Sequence, residues 1–190
     1  VALNRDKQIT GVFAGDMLPA HAAGTTFVKS VAMVPVPEPF DIVITSNSGY
    51  PLDLNLYQAV KGMSAAAQVV KQGGSIIMAA ECWDGVPDHG EYGKLLQMAS
   101  TPEELMTIIG VPGFLRQDQW QVQVQAQVQM KADVYVKSSY LDAETVERAM
   151  LRPCASVEET VAGLLGRYGP EATICVLPEG PMTIPYVARD

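Results

Sequence analysis

An α/β fold, a mainly parallel sheet covered by helices on both faces, is the class this sequence predicts. Three observations predict it. Ile42-Val43-Ile44 is a short β-branched run of the kind that forms a buried strand. A Ser-Asn-Ser-Gly-Tyr-Pro turn follows, and then Leu56, Val60, Met63, Ala67 and Val70 fall at i, i+4, i+7, i+11 and i+14, one apolar helical stripe. The same strand-then-helix rhythm repeats to the end of the chain, which argues for crossover connections and parallel strands. At 190 residues the chain has room for one sizeable α/β domain, or one domain plus a piece of a neighbour.

Taken in order, residues 8–15 read as a strand ending at Gly15-Asp16, with a helix following to about Val28. Val34-Pro35-Val36-Pro37-Glu38-Pro39 reads as a linker, because prolines at alternate positions remove donors and hold the chain extended. A domain boundary is expected there. After the central strand and helix, Gly73-Gly74 punctuates and residues 75–80 make a second buried strand. Residues 81–90 form a polar, glycine-rich loop. Short helices are expected at 91–99 and 102–109, the second with Thr101 as N-cap and Pro102 in its first turn.

Residues 119–131 carry a conflict. Trp120, Val122, Val124, Ala126, Val128 and Met130 alternate with glutamines, which is the period of a strand. The segment is long for a strand, however, and directly precedes a better one at 133–136. Helix is the expectation, apolar on two opposite sides as if packed between a sheet and a neighbour. A helix at 142–150, a short strand or turn at 152–155 and a helix from Ser156 complete the rhythm. Ser156-Val157-Glu158-Glu159 fits a capping box, with Glu159 returning to the Ser156 N–H. Gly169-Pro170 stops that helix, residues 172–177 form a last buried strand, and the proline-bearing tail 178–190 is expected to wrap the surface.

Composition excludes several classes. Hydrophobic residues make up 48% of the chain, ordinary for a globular protein. A net charge of −8 supplies no basic stripe for nucleic acid. No apolar run approaches the ~18 residues of a membrane span, and the charged opening residues lack the apolar core of a signal peptide. The absence of an initiator Met suggests a fragment. Cys82, Cys154 and Cys175 are odd in number and widely spaced, and read as thiols in a reducing cytoplasm. His21 and His89, far apart and without ligand spacing, give no metal site from this chain alone. Glu81 and Asp84 read as ordinary loop carboxylates, and Trp83 as a surface or interface residue. No Walker-type loop, nucleophile elbow or dinucleotide fingerprint is present.

The place to look for chemistry is the start of the central helix, since ligands of open α/β sheets bind where strands end and helices begin. Tyr57, Gln58 and Lys61 lie off the apolar stripe and share one face at i, i+1 and i+4. A lysine ammonium there can hold a carboxylate and polarise a developing carbonyl oxygen. Gln58 offers donor and acceptor to a hydroxyl or phosphate oxygen, and Tyr57 either joins them or packs. Ser46-Asn47-Ser48-Gly49 could form an anion nest of backbone N–H groups.

The wording Asp41-Ile-Val-Ile-Thr-Ser-Asn-Ser-Gly-Tyr-Pro-Leu-Asp, followed by Asn55-Leu-Tyr-Gln-Ala-Val-Lys-Gly62, resembles the C-terminal part of the nickel-pincer-dependent lactate racemase family. Gly73-Gly74-Ser-Ile-Ile-Met78, Glu81-Cys82-x-Asp84-Gly85 and Asp118-Gln119-Trp120 extend the resemblance over most of the chain. It implies a Rossmann-like C-terminal domain over 37–190, preceded in 1–36 by the tail of a catalytic domain and a proline-rich linker. It also favours the helix at 119–131. By resemblance, Gln58 and Lys61 contact cofactor and substrate, and Trp120 walls the substrate pocket with Tyr57 beside it. The cofactor implied is a nickel-pincer nucleotide, a pyridinium bis-thiocarboxylic acid mononucleotide carrying nickel, held mainly by an N-terminal domain. That domain would supply the tethering lysine, the histidine on the metal and the histidine bases.

The expectation is therefore a C-terminal domain of a cytoplasmic isomerase, a 2-hydroxy-acid racemase or epimerase. It would take hydride from the α-carbon and return it, with its own N-terminal domain as partner and neither nucleic acid nor membrane. Two other readings stand beside it: a non-catalytic module binding a small anion or nucleotide, and a hydroxy-acid dehydratase or lyase domain.

Overall fold

The computed structural model describes residues 1–4 and 6–188. The chain opens with β1 (Ala2–Leu3) and β2 (Ile9–Gly11), paired antiparallel, and then α1 (Met17–Ala32), which runs on past the predicted end near Val28. There follow β3 (Met33–Val36), β4 (Phe40–Ser46), α2 (Leu56–Ala67), β5 (Val70–Ala79), α3 (Tyr92–Leu96), α4 (Pro102–Ile109), α5 (Gln119–Lys131) and β6 (Asp133–Lys137). After these come α6 (Ala143–Arg148), β7 (Arg152–Pro153), α7 (Val157–Tyr168), β8 (Ile174–Leu177), one 3-10 turn (Gly180–Met182) and β9 (Ile184–Val187).

The main sheet has five parallel strands in the order β7-β6-β5-β4-β8. Successive crossovers step outward from β4 to β7, and the chain then returns past β4 to lay down β8 on its other side. Alternation along the strands splits the core in two. Val43, Ile76, Met78, Val134 and Val136 face the layer that contains α2 to α6. Ile42 and Ile77, with Ile44 and Tyr135 beside them, face Leu164, Val161, Leu165 and Tyr168 of α7. Both faces are thus covered, as the strand runs and the helical stripe required.

Several local expectations meet a different outcome. The apolar stripe stays on α2 as far as Ala67, but Val70 opens β5 instead of closing the helix. Gly73-Gly74 lies inside β5, where the pairing with β4 shifts register between Phe40 and Ile42, so the glycines mark an irregular step within the strand. The proline segment is only partly a linker, and the tail does more than wrap. Met33–Val36 pairs in parallel with Ile184–Val187, and the two-stranded ribbon leaves open edges on which Pro35 and Pro185 need no donor. Positions 189 and 190 of that tail lie outside the described residues.

Candidate functional site

The helix α2 begins where its cap requires. Asn55 Oδ1 accepts the Gln58 N–H at 3.1 Å, while Asn55 Nδ2 donates to Asp84 Oδ2 at 3.1 Å. The Leu56 N–H reaches the Gly85 carbonyl at 3.0 Å. Residues 81–85 therefore serve as a brace for the start of α2, which is the work Asp84 does. Glu81 belongs to the same brace through its N–H on Asp53 Oδ2 at 3.1 Å.

Leu56, Ala59, Val60, Met63, Ala66 and Ala67 turn inward from α2. That leaves Gln58 and Lys61 on the outer side, where Lys61 Nζ donates to Gln58 Oε1 at 2.6 Å. Lys61 stands on the rim of an open groove of about 490 Å³. Trp120 and Val124 of α5 form its other rim, and Pro181 and Ile184 of the tail close one end. Trp120 is 56% exposed, its ring edge-on to Tyr57 with centroids 5.8 Å apart. Tyr57 in turn meets the fully buried Tyr92 edge-on at 5.3 Å. Burial first, and the Asp118 carboxylate second, push the Tyr57 pKa above its ordinary value, so the phenol is a neutral donor. All four residues singled out in the sequence come together on this groove and its flank.

The switch point of the sheet, between the ends of β4 and β8, is filled by the chain itself. Ser46 Oγ donates to the Pro178 carbonyl. Asn47 Oδ1 accepts the Gly62 N–H at 3.0 Å, and Asn47 Nδ2 donates to the Leu52 carbonyl. A Cβ on Gly62 would lie 2.7 Å from the Ser46 carbonyl oxygen, and one on Gly180 would meet the same oxygen at 2.7 Å and Gly62 Cα at 3.2 Å. Strand end, helix and tail thus converge backbone to backbone beside Lys61. The anticipated anion nest is partly used up here. Ser48 and Gly49 are both left-handed, at φ 65° and 70°, but the Ser48 N–H donates to Ser46 Oγ at 3.0 Å.

Trp83, within the bracing segment, is half-exposed and has its ring against Tyr50. His21 lies on α1 and His89 in the loop before α3, and among the described residues no three His, Cys, Asp or Glu side chains gather in a metal-sized cluster. What the residue pattern missed are the supports behind the groove, Asn55, Tyr92 and Gln121, together with the bracing role of Asn47, which the pattern gives only as part of an anion nest. The legible signal among them is Asn55, an N-cap residue type standing directly before the apolar stripe, since glutamine recurs equally at 119, 123 and 127 and at 121, 125 and 129.

Known proteins match this chain in sequence and in fold. The profile of the lactate racemase C-terminal domain family matches residues 36–184. A lactate racemase of Lactiplantibacillus plantarum is 38% identical over 181 residues, and one of Thermoanaerobacterium thermosaccharolyticum 35% over 182 residues. Each alignment covers 95% of this chain and 42% of the relative, so the chain spans less than half the length of the curated relatives it matches. The lactate racemase apoprotein structure from T. thermosaccharolyticum superposes with a TM-score of 0.88 at 33% identity, over 99% of this chain and 44% of that one. A Thermotoga maritima protein shares the fold alone, at TM-score 0.61 and 12% identity over 90% of this chain and 42% of that one. With a profile match that takes in β4, the Asn55-capped helix, α5 and the tail turn, the chain belongs to the lactate racemase C-terminal domain family.

Proposed function

We propose that this domain forms one side of the active-site cleft of a 2-hydroxy-acid racemase, with Lys61 and Gln58 orienting the substrate and Trp120 walling it. The observation that carries the reading is the Lys61–Gln58 pair, bonded at 2.6 Å, with Lys61 lining the same groove as Trp120. Lys61 places a positive charge where a substrate carboxylate can be held. As the α-carbon is oxidised, the same ammonium stabilises charge developing on the oxygen. Gln58 accepts from Lys61, which steers the ammonium and leaves the Gln58 amide N–H free to donate to a hydroxyl or phosphate oxygen. Trp120 presents an apolar face that keeps water from one flank of the substrate.

The family's nickel-pincer nucleotide fits this arrangement as an anionic partner of Gln58 and Lys61, whereas the described residues supply no metal-ligand cluster. When bound, that nucleotide supplies a hydride acceptor for the α-carbon. The metal ligands and histidine bases then belong to an N-terminal domain beyond this sequence, with residues 1–36 as its tail and the proline-bearing linker. None of the 16 residues of α1 is buried, and Met17, Leu18 and Val31 are all exposed, which supports a covering partner domain for that segment. The free thiols of Cys82, Cys154 and Cys175 support a place in the cytoplasm, and among the described residues no helix is long and apolar enough to cross a membrane.

The test uses the full-length protein matured with its nickel cofactor and a panel of chiral 2-hydroxy acids, followed by loss of optical activity. One acid should racemise, and Lys61→Ala should lose on the order of 10²-fold or more in kcat/KM, the scale of removing one transition-state donor, with its circular dichroism unchanged. A cofactor-loaded wild type that racemises no acid in the panel, or a fully active Lys61→Ala, overturns the reading.

A further inference from the structure

The rotation of α5 about its own axis is not determined by hydrophobic burial. Its apolar residues sit at every second position from Trp120 to Met130, so successive ones are about 200° apart around the helix. The apolar residues are therefore spread over two opposite faces, Trp120, Val124 and Val128 on one and Val122, Ala126 and Met130 on the other, and a half-turn of the helix would still present three apolar side chains to the interior. The helix buries neither apolar face alone but the glutamine side between them, with Gln121 and Gln125 flanked by Val122 and Ala126 from one face and Val128 from the other, and leaves Trp120 on the groove.

The inward-facing glutamines, two of them buried, break the tie. Gln125 Nε2 donates to the Ala149 carbonyl at 2.9 Å, and Gln129 Nε2 to the Met150 carbonyl at 2.7 Å, which fasten the far half of α5 to the end of α6. Tyr92 adds its hydroxyl to Gln125 Oε1. Gln121 alone of the three reaches across to α2. At 2% exposure it donates from Nε2 to the Tyr57 carbonyl at 2.6 Å. A buried amide is costly unless bonded, so the rotated arrangement would forfeit these bonds without replacing them. The Gln121 bond joins the residue after Trp120 to the residue before Gln58. It fixes the two rims of the groove to each other.

Resting on the function proposed above, we propose that Gln121 is a positioning residue that sets Trp120 against the Lys61–Gln58 face through the Tyr57 carbonyl. It touches no reacting atom. Its effect passes through the seat of α5 on α2, and the edge-on Trp120–Tyr57 contact is the part of that seat nearest the groove.

The experiment replaces Gln121 by Met, which keeps the volume and removes the amide, in the full-length cofactor-loaded protein. Gln121→Leu, which is smaller and also removes the donor, is a second variant should the first fold poorly. Gln123→Met, an exposed glutamine of the same helix, is the control. The Trp120 resonance in 5-fluorotryptophan-labelled protein is assigned by its loss in Trp120→Phe. It should shift or broaden in Gln121→Met and stay in place in Gln123→Met. The kcat should fall about tenfold with KM within about twofold, and combining Gln121→Met with Trp120→Phe should cost little beyond the larger single loss. An unmoved Trp120 resonance, an unchanged kcat or fully additive losses overturns the proposal. A wild type that racemises no acid refutes the activity instead, and the resonance arm still decides whether Gln121 seats Trp120.

Discussion

Replacing Gly62 with Ala gives a test whose sign, and not merely its size, separates two accounts of α2. Gly62 sits inside a 12-residue helix, Leu56–Ala67, where glycine costs about 1 kcal/mol relative to alanine. If Gly62 were an ordinary helix position, Gly62→Ala would stabilise the domain by up to roughly that amount. The structure demands the reverse. The new methyl carbon would lie 2.7 Å from the Ser46 carbonyl oxygen, 2.9 Å from Met78 Cε and 3.2 Å from Asn47 Oδ1. Met78 Cε is the end of a flexible chain and can move, but the Ser46 oxygen is backbone at the end of the central strand. Relief requires α2 and β4 to separate by about half an ångström, given ordinary C···O contacts near 3.3 Å. That movement strains the Gly62 N–H bond to Asn47 and the packing of Gly180 on the same spot. Overpacking of this kind costs about 1–3 kcal/mol. Urea denaturation of wild type and variant followed by far-ultraviolet circular dichroism would measure it. A midpoint raised by the variant would refute the close approach and with it the seat assigned to Lys61.

Two further outcomes follow from titratable groups. The Asp41 pKa is held down from 3.8 to about 2, chiefly by the hydrogen bond from Lys71 and then by the Thr173 N–H. A depressed folded pKa adds stability above the ordinary value that is lost as pH falls through the window from about 3.8 to about 2. Thermal melts across that window should show Asp41→Asn losing part of the wild-type slope, and an identical slope would remove Asp41 from the account. Cys82 is 0% exposed, and burial, followed by the Asp53 and Glu81 carboxylates, pushes its pKa up to about 12. Peptide mapping after a maleimide pulse at pH 8 should find Cys82 labelled only as fast as the protein opens, whereas rapid labelling of the folded state would contradict its burial.

The sheet was legible because its signal is local. Ile42-Val43 and Ile76-Ile77-Met78 are unbroken apolar runs, and all are buried on one face or the other. The Leu56, Val60, Met63 and Ala67 stripe is buried throughout. The pairing of β3 with β9 had no such signal, since it joins Val34 to Pro185 across most of the chain and both partners contain proline, which argues locally for a linker. The capping box at Ser156 is half formed. Ser156 Oγ accepts the Glu159 N–H at 3.1 Å, but the carboxylate bonded to the Ser156 hydroxyl is that of Glu158. For the candidate site, spacing alone brought Tyr57, Gln58 and Lys61 together, whereas Trp120 joined them only through the resemblance. Nothing in a helix of alternating Gln and apolar residues says which side will be buried.

That ambiguity shows how the groove is built. The side chains at its surface, Lys61 and Trp120, are exposed at their tips, while the groups that aim them are buried and bonded to backbone. Asn55 holds the start of α2, Asn47 holds its middle at Gly62, and Gln121 ties the first turn of α2 to α5. Each of these bonds fixes a main chain and none engages the tip of Lys61 or Trp120, which on the proposed function meet the ligand. The bond the Lys61 ammonium makes to Gln58 joins two members of the proposed site, whereas bonds from the buried frame to these tips would have to break when the proposed substrate arrived, and their free energy would be subtracted from binding. Bonds to the backbone behind them persist through binding, so the cost of ordering the rims falls on folding and not on the encounter with substrate. A polar interior behind an open groove is the arrangement expected of a half-site whose other wall comes from elsewhere, since rigidity cannot be borrowed from a wall that is not yet in contact.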